Sequence, residues 1–401
     1  DPRLITGSAT YTDDFVLPGM VHAAMLRSPH AHARILLRDA SRAREMPGIF
    51  AVLLAEDIPG HNDVSPVKGD DPLFADGLVQ YFGQPLFAVA ATTIGEARAA
   101  AGLAVVEYQD QPAILTITDA MAARSFLAPP VTMQHGDAAA AIATAPHRLA
   151  GSIDIGGQEH FYLEGQVSLA IPGEGDEVTV HASTQHPTEI QHKVAHVLGV
   201  ANHAVTAEVR RMGGGFGGKE SQANLPAAAA ALAAKALGRP VKCCLDRDDD
   251  FMITGKRHDF RIAYEVGFDD DGRILGITFD QMARCGYSFD LSEAICDRAM
   301  MHADNAYFLP AIRVTSYRCK TNTQSATAFR GFGGPQGMVG IERVMDAVAF
   351  ALKLDPLAVR RANLYPPPTA PAVLRTTPYG MVVEDSIIGD MIDRLVVSSD
   401  Y

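Results

Sequence analysis

Two glycine-rich loops are where this sequence concentrates backbone chemistry. The first is Met212-Gly213-Gly214-Gly215-Phe216-Gly217-Gly218-Lys219-Glu220, and the second is Ala328-Phe329-Arg330-Gly331-Phe332-Gly333-Gly334-Pro335-Gln336-Gly337. Glycine has no Cβ, so consecutive backbone N–H groups can close on an oxygen-rich ligand. A helix after each loop would add a favourable potential for negative charge at its N-terminus. Phe216 and Phe332 each stand among glycines, offering a flat apolar wall to a ring. The plainer alternative is that the glycines only let helices pack closely. The Gly-Phe-Gly-Gly shared by both loops counts against it.

Known phosphate motifs fit the first loop incompletely. Gly213 to Lys219 has Walker-A spacing, but Glu220 stands where magnesium needs Ser or Thr. The same glycines satisfy G-x-G-x-x-G after an expected strand at 205–210, with Asp246 as the acid nearest the required position. A nucleotide- or flavin-binding module therefore stays open as an alternative. Other polar groups read more plainly. His186, His192 and His196 lie in or beside one helix with no third ligand, so a solvent-facing role is expected. Asp269-Asp270-Asp271-Gly272 lacks the alternating acids and distant Glu of a calcium loop and reads as a hairpin turn. Asp246 to Asp250 reads as a charged loop with capping or ion-pairing roles.

The elements that must hold these loops follow from periodicity. Strands are expected at 21–27, 33–38, 49–54, 85–91 and 105–108, with helices at 40–46 and from Thr93, where Glu96 completes a capping box. These form a first unit, residues 1–124, followed by a Pro- and Gly-marked connector at 125–147. The second unit, 148–401, is of mixed type. Pro187 opens a helix with Ile190, Val194, Val197 and Leu198 on one face, and Gly199 closes it. An alanine-rich helix follows the first loop and ends at Gly238-Arg239-Pro240. A helix with Ile341, Met345, Val348 and Leu352 on one face follows the second loop. Strands at 260–268 and 273–279 flank the aspartate turn. The fold class is α+β.

Bulk properties bound the function. A chain of 401 residues exceeds what one core usually organises, and 47% hydrophobic with 20% charged residues is an ordinary globular balance. A net charge of -13 without a basic block argues against nucleic acid. The most apolar stretch, 226–237, carries Lys235 and is too short to cross a bilayer, so no membrane role is expected. The N-terminus shows neither a signal-peptide pattern nor a Met. Cys243, Cys244, Cys285, Cys296 and Cys319 are odd in number and form no C-x-x-C pair, which favours reduced core thiols and a cytoplasmic protein.

The two glycine loops, together with GGQEHFYLE at 156–164 and STQ at 183–185, resemble the molybdenum hydroxylases of the xanthine dehydrogenase and aldehyde oxidase group. YTDDFVLPGMVHAAMLRSPHAHARI near the start is similar to that family's α/β hammerhead domain. The resemblance covers essentially the whole chain. It implies a hammerhead domain followed by the first part of a molybdopterin-binding α+β domain, with molybdopterin as cofactor. Gln185, Phe216 and Arg330 match residues surrounding molybdenum, Gln185 through its side chain, Phe216 with Gly217 through backbone amides, and Arg330 contacting the cofactor through its backbone. Glu220 and Arg298 match catalytic residues that also hold a purine, and Phe332 matches the phenylalanine stacked on it. The implied reaction takes hypoxanthine to xanthine to urate, by metal-bound hydroxide attack and hydride transfer to a molybdenum sulfido ligand. The Glu and Arg combination distinguishes purine oxidisers from aldehyde oxidases of the group, although oxidation of an aldehyde or another N-heterocycle stays open. So does a non-catalytic assembly piece. The family's general base and much of its pterin surface lie beyond the matched region. The resemblance therefore implies a fragment inactive by itself, completed by a second part of the molybdopterin region and by 2Fe-2S and FAD domains or subunits. The complete enzyme is expected to be a homo-oligomer.

Overall fold

A computed structural model of the chain describes residues 2–401. Three sheets organise it, and the largest is built from both halves of the sequence. Its seven strands run in the order Val205–Glu208, Val178–Ala182, Val167–Pro172, Val241–Cys244, Val21–Arg27, Pro85–Ala91 and Ile49–Leu53. Val21–Arg27 sits between Val241–Cys244, which it pairs in parallel, and Pro85–Ala91, which it pairs antiparallel. The main-chain ladder is thus continuous between the stretches read as two units. Every residue of Pro85–Ala91 is buried, which explains its unbroken apolar run.

The helices on this sheet follow their sequence patterns closely. Pro187–Leu198 buries Ile190, Val194, Val197 and Leu198, and Gly199 closes it at φ 66°. His186, His192 and His196 remain exposed. The alanine-rich helix, Asn224–Leu237, is buried on nearly all sides, with each residue from Ala227 to Ala231 fully covered. Small side chains let it lie against the sheet, packing on Ala170, Val180, Ala182 and Val241. The Thr93–Glu96 capping box forms as expected: Glu96 N–H donates to Thr93 Oγ1 at 3.2 Å, and Thr93 N–H donates to Glu96 Oε2 at 3.0 Å.

The five-stranded sheet has the order Val131–His135, Ile312–Lys320, Ile274–Gly286, Phe260–Phe268 and His147–Ile155. The aspartate run makes its hairpin turn. Asp269 Oδ1 accepts the N–H groups of Asp271 and Arg273 at 3.0 and 2.8 Å, and Gly272 adopts φ 78°. The second hairpin strand continues to Gly286, well past 279, because Ile312–Lys320 pairs its other edge in parallel. The connector at 125–147 is also more structured than its prolines suggest. It contributes the edge strand Val131–His135 and the helix Ala138–Thr144, which Asp137 caps. Helix Gly334–Leu352 covers this sheet with Ile341, Val344, Met345 and Val348. A three-stranded sheet of Leu78–Val79, Ala33–Asp39 and Val105–Asp110 completes the architecture. Among the described residues the five cysteines are unpaired, and no helix is long and apolar enough to cross a membrane.

Candidate active site

The two glycine loops meet. Arg330 N–H donates to the Phe216 carbonyl at 2.9 Å. Gly217, at φ 101°, lies so close to the second loop that a Cβ would come within 2.6 Å of the Ala328 carbonyl oxygen. No L-residue other than glycine fits that contact and that backbone conformation together. Phe216 and Phe332 themselves have φ 53° and 50°. Bulky residues in the left-handed region cost of order 1–3 kcal/mol each and persist where surrounding structure dictates them. Two in equivalent positions mark both loops as functional candidates. The loops differ in how they reach their helices. The second runs directly into Gly334–Leu352, whereas residues 221–223 separate the first from Asn224–Leu237. Helix-terminus potential is therefore supplied next to the second loop and not the first.

Gln185 joins this junction from the chain between a strand and Pro187–Leu198. Its Oε1 accepts the N–H of Gly217 at 2.8 Å and of Lys219 at 3.3 Å, leaving the side-chain NH2 as its free donor. The four residues expected around the cofactor, Gln185, Phe216, Gly217 and Arg330, are thus linked by two hydrogen bonds and the Phe216–Gly217 peptide bond. Gln185 and Arg330 are exposed, as is half of Phe216.

Glu220, Arg298 and Phe332 lie on abutting segments. Arg298 is on helix Ser292–Met301, whose backbone presses on the second loop at Gly333 and Gly337. Its side chain is exposed and forms no ion pair or hydrogen bond among the described residues. Glu220 is half-buried, and burial raises its carboxyl above the ordinary range, with His186 opposing and Glu189 reinforcing the rise. No direct bond joins Glu220 to Arg298.

Beneath the loops lie groups that spacing did not reveal. Lys219 is fully buried, and its Nζ donates to the Glu164 carbonyl and to Ser183 Oγ, both at 2.7 Å, with Glu164 Oε2 at 3.3 Å. Burial pulls the Lys219 ammonium down in pKa, and Glu164 pushes it back up. Glu164 Oε2 also accepts Gly213 N–H at 2.7 Å, so the pair fastens both ends of the first loop. His160 Nε2 donates to the Ala328 carbonyl at 2.7 Å, its ring stacks on Phe329 with centroids 4.6 Å apart, and Gly218 packs on its face. Burial lowers its pKa, and the bond to the Ala328 carbonyl opposes that fall. Asp290 accepts bonds from residues flanking both loops. Glu164 and His160 fall within GGQEHFYLE, so their polarity inside a glycine- and aromatic-rich run was the available signal. Asp290 had none.

Comparison with known families decides what these loops belong to. The model of the molybdopterin cofactor-binding domain matches residues 121–364. The chain belongs to the molybdenum hydroxylase family. Molybdopterin is accordingly its cofactor, and the Walker-like and dinucleotide-like spacings of the first loop are incidental. The model of the aldehyde oxidase and xanthine dehydrogenase a/b hammerhead domain matches residues 6–112. Among curated molybdenum hydroxylases, the chain is 44% identical over 366 residues to xanthine dehydrogenase of Calliphora vicina, covering 90% of this chain and 27% of that protein. It is 38% identical over 399 residues to xanthine dehydrogenase of Dictyostelium discoideum, covering 100% of this chain and 29% of that one. The chain thus spans under a third of the length of these relatives. Among solved structures, the aldehyde oxidoreductase of Desulfovibrio gigas superposes with TM-score 0.91 at 27% identity, over 99% of this chain and 45% of that chain. Quinoline 2-oxidoreductase of Pseudomonas putida 86 gives TM-score 0.88 at 28% identity, over 100% of this chain and 53% of that chain. The residues present suit this family's anionic, oxygen-rich cofactor: an exposed amide and guanidinium flank two glycine-lined backbones, and a buried ammonium lies beneath one of them.

Proposed function

We propose that this chain forms the first part of the active site of a purine-oxidising molybdenum hydroxylase, taking hypoxanthine to xanthine and urate. The observation that carries the reading is that Glu220 ends the first cofactor loop while the helix bearing Arg298 packs against the second. When bound, the molybdenum cofactor supplies the two-electron oxidation that introduces oxygen at a ring carbon. Gln185 and Arg330 would hold its polar rim, and Phe216 would wall one side. Phe332 packs against the purine face. Arg298, an unpaired guanidinium, donates to ring carbonyl oxygen as negative charge gathers there, and such preorganised donors are worth most where charge develops. Glu220, with its raised pKa, accepts a ring N–H or shares its proton.

The activity is a property of the complete protein. The general base, the remaining pterin surface, the 2Fe-2S and FAD units, the homo-oligomeric state and a cytoplasmic location belong to this proposal. The partial coverage of each relative supports assigning the missing parts elsewhere. The test is kinetic. In the complete enzyme at full molybdenum loading, Arg298→Met is expected to lower purine turnover roughly 100- to 1,000-fold, the scale of a lost preorganised donor. Glu220→Val is expected to weaken purine binding as well. An aromatic aldehyde should be oxidised by both variants at least as well as by the wild type, because each variant removes one polar group that an aldehyde leaves unmet. The isolated 401 residues should turn over neither substrate. Parallel loss of purine and aldehyde activity with the cofactor intact would mean that the pair supports the site without selecting its substrate. A wild-type enzyme that oxidised aldehydes but no purine would favour the reading suggested by the aldehyde and quinoline oxidoreductase structures.

A further inference from the structure

Asp290 lies between strand Ile274–Gly286 and helix Ser292–Met301, outside every motif. Its side chain is buried, yet four donors converge on it. Oδ2 accepts Ser221 Oγ–H at 2.6 Å and Gln222 Nε2–H at 2.8 Å. Oδ1 accepts Thr327 Oγ1–H at 2.6 Å and Leu291 N–H at 2.7 Å. The donors come from three different approaches to the site. Ser221 follows Glu220, Thr327 precedes Ala328 at the start of the second loop, and Leu291 is the N-cap residue of the helix carrying Arg298. The backbone at Asp290 is left-handed, φ 43°, a conformation that a non-glycine residue holds only when its surroundings demand it.

We infer that Asp290 is a positioning residue, a carboxylate clasp that fixes Glu220, the Arg298 helix and the second glycine loop relative to one another. The inference rests on the proposed function for what those residues do, but not for the clasp itself. Gln222 Nε2–H and Leu291 N–H can only donate, and they sit on different oxygens; the ionised carboxylate accepts both of them and both hydroxyls, whereas a protonated one presents a weaker acceptor to one of these N–H groups and turns the Ser221 or Thr327 hydroxyl round to accept. Burial pushes its pKa up to about 6, and the four hydrogen bonds oppose that rise. The titratable groups around it are Asp71, Tyr81 and Tyr287 across a cavity of about 20 Å³, room for one water, Asp70, which accepts Phe289 N–H, and, across a second cavity, Asp297 and the ion-paired Lys68 and Glu293. No cation pairs with Asp290 among the described residues. Its folded pKa lies above the ordinary value, so the clasp is complete above about pH 6 and opens as pH falls through that region.

The experiment is a pH profile of kcat/KM in the complete molybdenum enzyme, using whichever of a purine or an aldehyde it oxidises. Asp290→Asn keeps the size but turns an NH2 toward one N–H that can only donate and one hydroxyl that must turn round to accept. It is expected to lose roughly 10- to 100-fold in kcat/KM, the scale of a reacting geometry displaced by about 1 Å, and to lose the acidic limb near pH 6. Thr327→Val removes one donor and keeps the shape, which serves if Asp290→Asn fails to fold. Because that donor holds the carboxyl down, its loss should move the acidic limb to higher pH, an effect that a residue merely supporting the fold would not produce. Native kinetics in Asp290→Asn, or an unmoved limb in Thr327→Val, would overturn the clasp. Failure of purine selection by Glu220 and Arg298 would leave this test intact, because the limb can be followed with either substrate.

Discussion

Lys219 and Glu164 carry opposite charges into a region from which water is nearly excluded, with side-chain exposures of 0% and 10%. Removing both charges costs a protein little if packing is kept, whereas removing one strands the other. Lys219→Met is therefore expected to destabilise the chain by about 3–5 kcal/mol in a denaturant titration, and Lys219→Met with Glu164→Leu to recover much of that loss. A single variant as stable as wild type would show that water reaches the pair. The ammonium also lies 4.6 Å from the Tyr162 ring centroid and holds the carbonyl of Glu164, so it shapes the floor of the first loop as well as balancing charge.

At the scale of elements, the alanine-rich helix tolerates little. Ala229 is fully covered on a helix packed on all sides, so Ala229→Leu must displace the sheet or the helix and is expected to cost about 1–3 kcal/mol, read as a lower urea midpoint. An unchanged midpoint would reveal slack packing against the strands. This helix, Pro187–Leu198 and the Thr93–Glu96 cap were legible because their signals are local: period, a capping pair, and Gly or Pro at the ends. The aspartate hairpin was legible for the same reason. The length of Ile274–Gly286 was not, because a parallel partner from 312–320 extends it. The strand within the connector was hidden between Pro130 and Gly136, which are compatible with an edge strand but usually signal a loop. In the candidate site, glycine loops and family motifs drew attention to Gln185, Phe216 and Arg330. The residues beneath them, His160, Lys219 and Asp290, act through contacts made across long stretches of sequence. Their role appears only when the chain is folded.

For the whole molecule, the seven-stranded sheet determines what can be separated. Val21–Arg27 pairs through Val21, His22 and Ala23 with Val241, Lys242 and Cys243, so residues 1–124 taken alone would expose that edge and the apolar face beneath the alanine-rich helix. Such a fragment is expected to melt without a cooperative transition by circular dichroism, and a sharp, reversible melt would show that it is an autonomous unit. Asp70 and Asp71 also reach from the early part of the chain to Phe289 and Tyr287, bracing the segment next to Asp290 from the opposite side.

The same pairing sets a clock on synthesis. A ribosome adding about 5–20 residues per second needs on the order of 10–40 s to travel from the strand at Val21 to its partner at Val241. Throughout that interval the nascent chain carries an incomplete β edge that could recruit a strand from a neighbouring polypeptide. Val21–Arg27 ends in a charged residue that discourages such a union while the strand waits. The order in which the halves of this sheet are made, and the protection given to the first half, thus belong to how the molecule reaches its native state.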